Sequence, residues 1–107
     1  FDRSQYSINL ILQEPDDGMG GEFTYWPDSR NKVDTWDYWQ EPEESKLIRP
    51  QLLPGSLYLF AGNRSLHCVS KIKEGNSKVR TNAIFTYNEE PNVMLNHYTR
   101  KMFFGVD

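Results

Sequence analysis

The sequence predicts an all-β domain, an antiparallel sandwich or barrel that is closed by one short helix. Residues 5–13 alternate polar and apolar side chains with a period of two, as a strand with one buried face does. Further short apolar runs follow, and turns rich in glycine, proline and asparagine separate them. Helical apolar spacing is confined to the segment after Pro91. Short strands at this spacing favour an antiparallel all-β fold over an α/β sheet.

The first predicted strand has an apolar face, which we expect to point into the interior: Tyr6, Ile8, Leu10 and Leu12. Asp2 has the same parity as this face. If strand geometry extends back to residue 2, the Asp2 carboxylate also points inward, and an unpaired charge there would be costly without a metal ion or another cation. The alternative is a frayed terminal aspartate in solvent.

The next stretch predicts a turn, a second strand and a long polar segment. Residues 14–21 have the composition of a turn, and residues 22–26 form a short strand that stops at Pro27 and makes a hairpin with the first. The polar segment 28–46 contains an aromatic stretch at 34–39. Those aromatic side chains either tie a long loop down or form a lid over a pocket.

The stretch 55–69 is the part around which the rest of the sequence is organised. It predicts an apolar strand, a glycine–asparagine turn and a second strand that carries His67 between apolar neighbours. A buried imidazole needs a polar partner. Cys68 has the opposite strand parity to His67, so we interpret it as a packing residue that faces away from the histidine.

Two further elements complete the predicted fold. A strand-like run covers residues 79–87 and includes Arg80 near its start, thirteen residues after His67. After Pro91 the apolar spacing predicts a helix, with Asn92 as its N-cap and Gly105 as its stop. His97 lies on this helix beside basic residues, and we interpret it as a surface or packing residue rather than a ligand.

Length, charge and cysteine content limit the class of protein. The chain of 107 residues is expected to form a single domain, residues 1–107, with one modest core. Its net charge of -3 and the lack of a clustered basic face argue against nucleic acid as a partner. No apolar run reaches the length of a membrane-spanning helix, and the single Cys68 cannot form an internal disulfide. These features predict a cytoplasmic protein with no membrane partner.

Several short motifs follow one another along the chain: Phe1-Asp2-Arg3-Ser4 through Leu12-Gln13, Gly20-Gly21-Glu22-Phe23, Pro54-Gly55-Ser56-Leu57-Tyr58-Leu59-Phe60, Ser65-Leu66-His67 and Val79-Arg80. In this order they resemble the C-terminal part of the iron(II)- and 2-oxoglutarate-dependent dioxygenases. The resemblance extends over nearly the whole chain, and each motif is weak by itself. It implies a double-stranded β-helix or cupin-like jelly roll with a short C-terminal helix, present here as a partial catalytic core that lacks its N-terminal portion.

The same resemblance implies the roles of four residues. Asp2 and His67 would be metal ligands for iron(II), a mixed oxygen and nitrogen donor set that suits this ion. The family has a further histidine ligand two positions before Asp2, immediately preceding Phe1, and this sequence does not contain it. Arg80 would bind the far carboxylate of 2-oxoglutarate, because a guanidinium offers a planar fork of donors. Asn82 stands where many relatives carry serine or threonine, and is a candidate contact for 2-oxoglutarate or substrate.

The implied activity is hydroxylation of an unactivated C–H bond, with molecular oxygen consumed and succinate and carbon dioxide released. The substrate would be a small molecule, such as an amino acid, or a protein side chain. Asp2 favours oxygenation, because halogenating relatives have a small residue in place of the carboxylate. The 107-residue chain alone is expected to be inactive. The alternative is a non-catalytic, cupin-like binding or structural module, which a residue other than histidine before Phe1 would favour.

Overall fold

The structure, a computed structural model, describes residues 1–32 and 41–106. Within these residues the chain is mainly β, with two antiparallel sheets and one short C-terminal helix, as the sequence predicts. No helix among them has the length and apolar character that crossing a membrane requires. The aromatic stretch 34–39 lies outside the described residues. The elements are β1 (Tyr6–Gln13), β2 (Phe23–Trp26), β3 (Leu57–Phe60), β4 (Leu66–Val69), β5 (Thr81–Tyr87) and α1 (His97–Phe104), with a single 3-10 turn at Glu44–Lys46.

Strand pairing differs from the predicted hairpins. One sheet has the order β3-β1-β5 and the other pairs β2 with β4. The prediction that β1 and β2 form a hairpin is therefore wrong. The strands β3 and β4 also belong to different sheets, although only the turn at 61–65 separates them. Turn residues mark where a chain changes direction, but they do not determine which strand it then pairs with.

Aromatic rings fill the space between the two sheets. The Phe23 ring of β2 meets the Phe60 ring of β3 edge to face, with centroids 5.0 Å apart, and lies 5.8 Å from the Tyr58 ring. Tyr25 contacts Phe60 in the same manner at 5.4 Å. Such edge-to-face pairs are favourable beyond the apolar area that they bury. This aromatic layer joins the sheets beside His67.

The buried face of β1 is the opposite of the predicted one. Ile11 is fully buried, and Ser7 and Asn9 are each 5% exposed. By contrast, Tyr6 and Leu12 are exposed. The amide nitrogen of Asn9 donates to the Ser7 hydroxyl at 2.9 Å, so the two polar side chains can be buried together. The prediction that the apolar face points inward is therefore wrong.

The outward face of the three-stranded sheet is apolar across all three strands. Ile8 pairs with Leu59 on one side and with Phe85 on the other, which places the three side chains on one face. Leu57 and Leu59 are 65% and 64% exposed. Contiguous apolar surface of this kind is unusual on a monomeric protein and promotes association.

Two turns are joined by hydrogen bonds beside the strand ends. The Asp16 carboxylate accepts from the backbone N–H of Ser77 at 2.7 Å and from its hydroxyl at 2.8 Å. In return the Asp16 N–H donates to the side chain of Asn76 at 2.8 Å. These bonds lower the pKa of Asp16, with the backbone bond from Ser77 as the largest cause. The pairing fixes the turn at 14–21 next to the approach to β5.

The helix starts later than predicted. Asn96, and not Asn92, is the N-cap, and its side chain accepts from the Thr99 N–H at 2.8 Å. Asn92 has a positive φ of 60° and belongs to the preceding turn. Gly105 ends the helix with φ 66°, as the sequence predicts. His97 is the first residue of α1 and is exposed.

Candidate functional site

Asp2 reaches His67 because the backbone bends before β1, and its side chain is half-buried there. The chain bends at residues 3–5, so the alternation of β1 does not extend back to Asp2. The Asp2 N–H donates to the carbonyl of Gly62 at 2.9 Å, in the turn that leads from β3 to β4. The Asp2 Oδ1 atom then lies 3.1 Å from Nε2 of His67. The structure therefore brings together two predicted ligands that are 65 positions apart (67 − 2).

The hydrogen bonds of His67 define the chemistry of this pair. Its Nδ1 lies 2.9 Å from the carbonyl oxygen of Ser65. A carbonyl oxygen can only accept, so Nδ1 carries the hydrogen. In the neutral ring Nε2 then has a lone pair, which faces the carboxylate of Asp2. Two acceptors at 3.1 Å repel each other unless a proton or a metal cation lies between them.

The Asp2 carboxylate is ionised at neutral pH. When Nε2 of His67 carries a proton, its hydrogen bond to the carboxylate lowers the pKa of Asp2 most, and burial opposes this effect in part. The site thus presents a hard anionic oxygen beside an imidazole nitrogen, a donor set that suits a divalent first-row metal.

The distance between the two donor atoms fits a shared metal ion. Nitrogen and oxygen ligands lie about 2.0 to 2.2 Å from such an ion, so two of them at right angles are about 3 Å apart. The observed distance is 3.1 Å. Within residues 1–32 and 41–106, no group of three or more His, Cys, Asp or Glu side chains is placed to hold a metal. In this part of the chain, Asp2 and His67 therefore have no third candidate ligand of these types beside them.

Aromatic side chains surround the His67 ring. The Phe60 ring meets it edge to face at 5.0 Å, and the Phe23 ring lies 6.0 Å away. Tyr25 is its cross-strand neighbour in β2. Such contacts restrict the orientation of the imidazole, and they keep one side of it apolar. Cys68 pairs with Thr24 instead, in agreement with its predicted opposite parity, but it is exposed, so its interpretation as a packing residue is wrong.

Arg80 lies just outside β5, which begins at Thr81 and not at residue 79. Its Nε atom donates to the carbonyl of Gly21 at 3.0 Å, and the side chain is partly buried. When the Asn82 amide is oriented with its oxygen towards Arg80, that oxygen accepts a hydrogen bond from Nη2 of Arg80 at 3.2 Å. The guanidinium is thereby held by a backbone carbonyl and by Asn82, and it lines a cleft of about 530 Å³.

The cleft at Arg80 and the aromatic contacts of His67 have one residue in common. Phe23 lines the cleft, and its ring also contacts His67. The cleft has mixed charge, because Glu14, Glu22 and Arg49 line it together with Arg80. Arg49 has its own partner, since two of its guanidinium nitrogens donate to Glu44. A ligand anion in the cleft would therefore meet Arg80 more readily than Arg49.

Tyr58 is a candidate that the sequence did not single out. Its ring stands between the sheets, and burial raises the pKa of its hydroxyl, an effect that the charge of Arg80 partly offsets. Glu14 raises it further. The phenol is thus neutral at physiological pH and can donate a hydrogen bond near Arg80. Its parity with Phe60 in β3 is the signal that could have identified it.

The chain has no match among the known proteins with which it was compared. No protein-family model matches it, and neither the curated proteins nor the solved structures give a match. The resemblance of its motifs to the dioxygenases therefore stays a prediction. A functional proposal for this chain rests on its own residues.

Proposed function

We propose that this chain carries part of the catalytic core of an iron(II)- and 2-oxoglutarate-dependent dioxygenase with a jelly-roll architecture. The observation that carries the proposal is the contact between Asp2 Oδ1 and His67 Nε2 at 3.1 Å. The bond from Nδ1 to the Ser65 carbonyl directs the lone pair of Nε2 towards the carboxylate. Two sheets that face each other around an aromatic layer are compatible with that architecture.

In this proposal each polar residue of the candidate site has a defined role. Asp2 and His67 would hold iron(II), which would supply the activation of molecular oxygen. Arg80 binds the far carboxylate of 2-oxoglutarate through its guanidinium, and Asn82 orients that guanidinium. Tyr58, as a neutral phenol, can donate to the same carboxylate. The aromatic rings of Phe23 and Phe60 limit the access of water to the histidine.

The proposed reaction hydroxylates an unactivated C–H bond of a small molecule, such as an amino acid, or of a protein side chain. Molecular oxygen is consumed, and 2-oxoglutarate is converted to succinate and carbon dioxide. Asp2 favours this outcome over halogenation, because halogenating members of the family that the motifs resemble have a small residue in place of this carboxylate. The protein contributes orientation and electrostatics, while the metal carries the chemistry.

The second candidate is a non-catalytic, cupin-like binding or structural module. One observation favours it. A proton on Nε2 of His67 would satisfy the contact with Asp2 as an ordinary ion pair, with no metal present. In that case Arg80 would serve only to fasten the Gly21 turn to the approach to β5.

One added residue separates the two candidates. A histidine placed directly before Phe1 would create a His-Phe-Asp sequence, which is the spacing of the family motif, and an added alanine is the matched control. We expect the 107-residue chain and the alanine version to bind iron(II) weakly and to release no succinate. The histidine version should bind iron(II) at least about tenfold more tightly in anaerobic titration, because a third ligand is gained.

Each result decides between the candidates. Tighter iron binding that is specific to the added histidine, with succinate formed from 2-oxoglutarate, supports the dioxygenase. Equal iron affinity in the histidine and alanine versions contradicts it and favours the binding module. Stoichiometric succinate from the unmodified 107-residue chain would contradict the two-ligand description of the site.

A further inference from the structure

We infer that Gly62 is a positioning residue that holds the Asp2 carboxylate against His67. The metal-binding part of this inference rests on the proposed function, whereas the steric part rests on the structure alone. Gly62 lies in the turn between β3 and β4 and is buried. Its carbonyl accepts the Asp2 N–H at 2.9 Å, so backbone and side chain of Asp2 both lie against this turn.

The absence of a side chain at Gly62 leaves the space that Asp2 occupies. A Cβ atom at position 62 would overlap the Asp2 Oδ2 atom, and would lie 2.6 Å from its Cγ and 3.0 Å from its Cβ. Carbon atoms that are not bonded prefer separations of about 3.5 to 4.0 Å. Any residue other than glycine at position 62 must therefore displace the carboxylate from its place beside His67.

Backbone conformation does not explain this glycine. Gly18, Gly20, Gly21, Gly55, Gly75 and Gly105 have a positive φ, which favours glycine for its conformational freedom. Gly62 is not one of them. An alanine would be compatible with its φ angle, so the close approach of Asp2 is what requires a glycine here.

The same turn also orients the second ligand. The turn is closed by a hydrogen bond from the Arg64 N–H to the Ala61 carbonyl at 3.0 Å. Its next residue is Ser65, whose carbonyl holds Nδ1 of His67 at 2.9 Å. Two carbonyls three positions apart, at Gly62 and Ser65, thus set where Asp2 and His67 lie relative to each other. Because ligand geometry controls metal affinity, this turn should control it too.

The first test uses Gly62→Ala in the chain with a histidine before Phe1, and compares it with Gly55→Ala. Gly55 is a suitable control because its positive φ of 85° makes alanine strained there, while nothing lies within 4 Å of the added Cβ. Cobalt(II) is the probe, since its visible absorption reports ligand geometry. We expect Gly62→Ala to lose about tenfold or more in cobalt affinity and to change the spectrum, and Gly55→Ala to do neither.

The second test needs no metal and remains decisive if Gly62→Ala is unstable. Gly62→Ala is made in the 107-residue chain with Asp2 and in the same chain with Asp2→Ala, and urea midpoints are compared. Asp2→Ala removes the two nearest atoms, Oδ2 and Cγ, and leaves only the Cβ contact at 3.0 Å, so Gly62→Ala should cost about half as much, or less, in the Asp2→Ala chain. ¹⁵N spectra of the His67 ring should change on Gly62→Ala only where Asp2 is present.

The outcomes separate the inference from the proposed function. Equal midpoint losses in both backgrounds, with unchanged His67 ring resonances, would overturn the role of Gly62. Strong coupling between Gly62 and Asp2 in a protein that binds no cobalt would retain that role and overturn the metal proposal instead. Wild-type cobalt affinity and spectrum in a folded Gly62→Ala protein would overturn the inference.

Discussion

Arg80 gives the sharpest test of the co-substrate site. In the proposed complex, Arg80→Leu leaves the far carboxylate of 2-oxoglutarate without its cation. Loss of one partner of a buried charge pair typically costs about 2 to 5 kcal/mol. Arg80 is only partly buried and its cleft is open to solvent, so the lower part of that range applies. We expect about 2 to 3 kcal/mol, which raises the dissociation constant about 30- to 150-fold.

Binding of iron(II) should survive the same substitution, because Arg80 does not contact Asp2 or His67. Arg80→Lys should fall between wild type and Arg80→Leu, since an ammonium keeps the charge but loses the planar fork and the bond from Nε to Gly21. Arg49→Leu is the matched control. Arg49 lines the same cleft, but its guanidinium already donates to Glu44.

The assay is a 2-oxoglutarate titration of the chain with a histidine before Phe1, in the presence of iron(II) and without oxygen, with the iron content measured in parallel. We expect weak 2-oxoglutarate binding and normal iron content for Arg80→Leu, and nearly normal values of both for Arg49→Leu. If Arg80→Leu leaves the titration unchanged, or if Arg49→Leu weakens it equally, Arg80 is not the co-substrate cation and the carboxylate must bind elsewhere.

Two other predictions concern the scaffold. Asp16→Asn should lower the urea midpoint at neutral pH. Because the folded-state pKa of Asp16 is lowered, the difference in midpoint from wild type should be complete above pH about 4 and vanish as pH falls through that lowered pKa. A difference that persists at low pH would contradict the Ser77 contact as its source. The exposed apolar sheet face should make the chain self-associate or leave it marginally stable, and Leu59→Lys should reduce its average mass in sedimentation velocity. A wild-type chain that stays monomeric in sedimentation velocity and unfolds at a high urea midpoint would contradict this prediction.

The sequence predicted the class of fold and the positions of most strands because these depend on local patterns. Alternation placed β1, and turn residues placed the ends of β3 and β4. The helix was displaced because both Asn92 and Asn96 are acceptable N-caps in sequence, and only the positive φ of Asn92 assigns it to a turn. Strand partners were not predictable, since pairing depends on contacts between residues far apart in the sequence.

The inward placement of Asp2 was expected from strand parity, a reason that the structure does not support, whereas its pairing with His67 was implied by the family resemblance. The apolar parity of Tyr6 suggested an interior face, and Asp2 appeared to share it. In the structure the inward face carries Ser7 and Asn9, and the bend at residues 3–5 turns Asp2 to that side. The inverted face of β1 and the bend at residues 3–5, neither of which was predicted, cancelled each other, so Asp2 still lies on the inward side. Polar residues can line an interior when they bond to each other, so polarity alone does not identify the solvent side.

The change of sheet between β3 and β4 is what makes the Asp2 and His67 site possible. In a two-stranded hairpin, the backbone groups next to the turn would be used in pairing the two strands. Here the chain leaves the sheet of β1 after Phe60 and enters the sheet of β2 at Leu66. The carbonyls of Gly62 and Ser65 therefore remain available, one for the Asp2 N–H and the other for His67 Nδ1. Restoring a hairpin at this corner would remove both supports at once, so the geometry of the candidate metal pair follows directly from the topology of the fold.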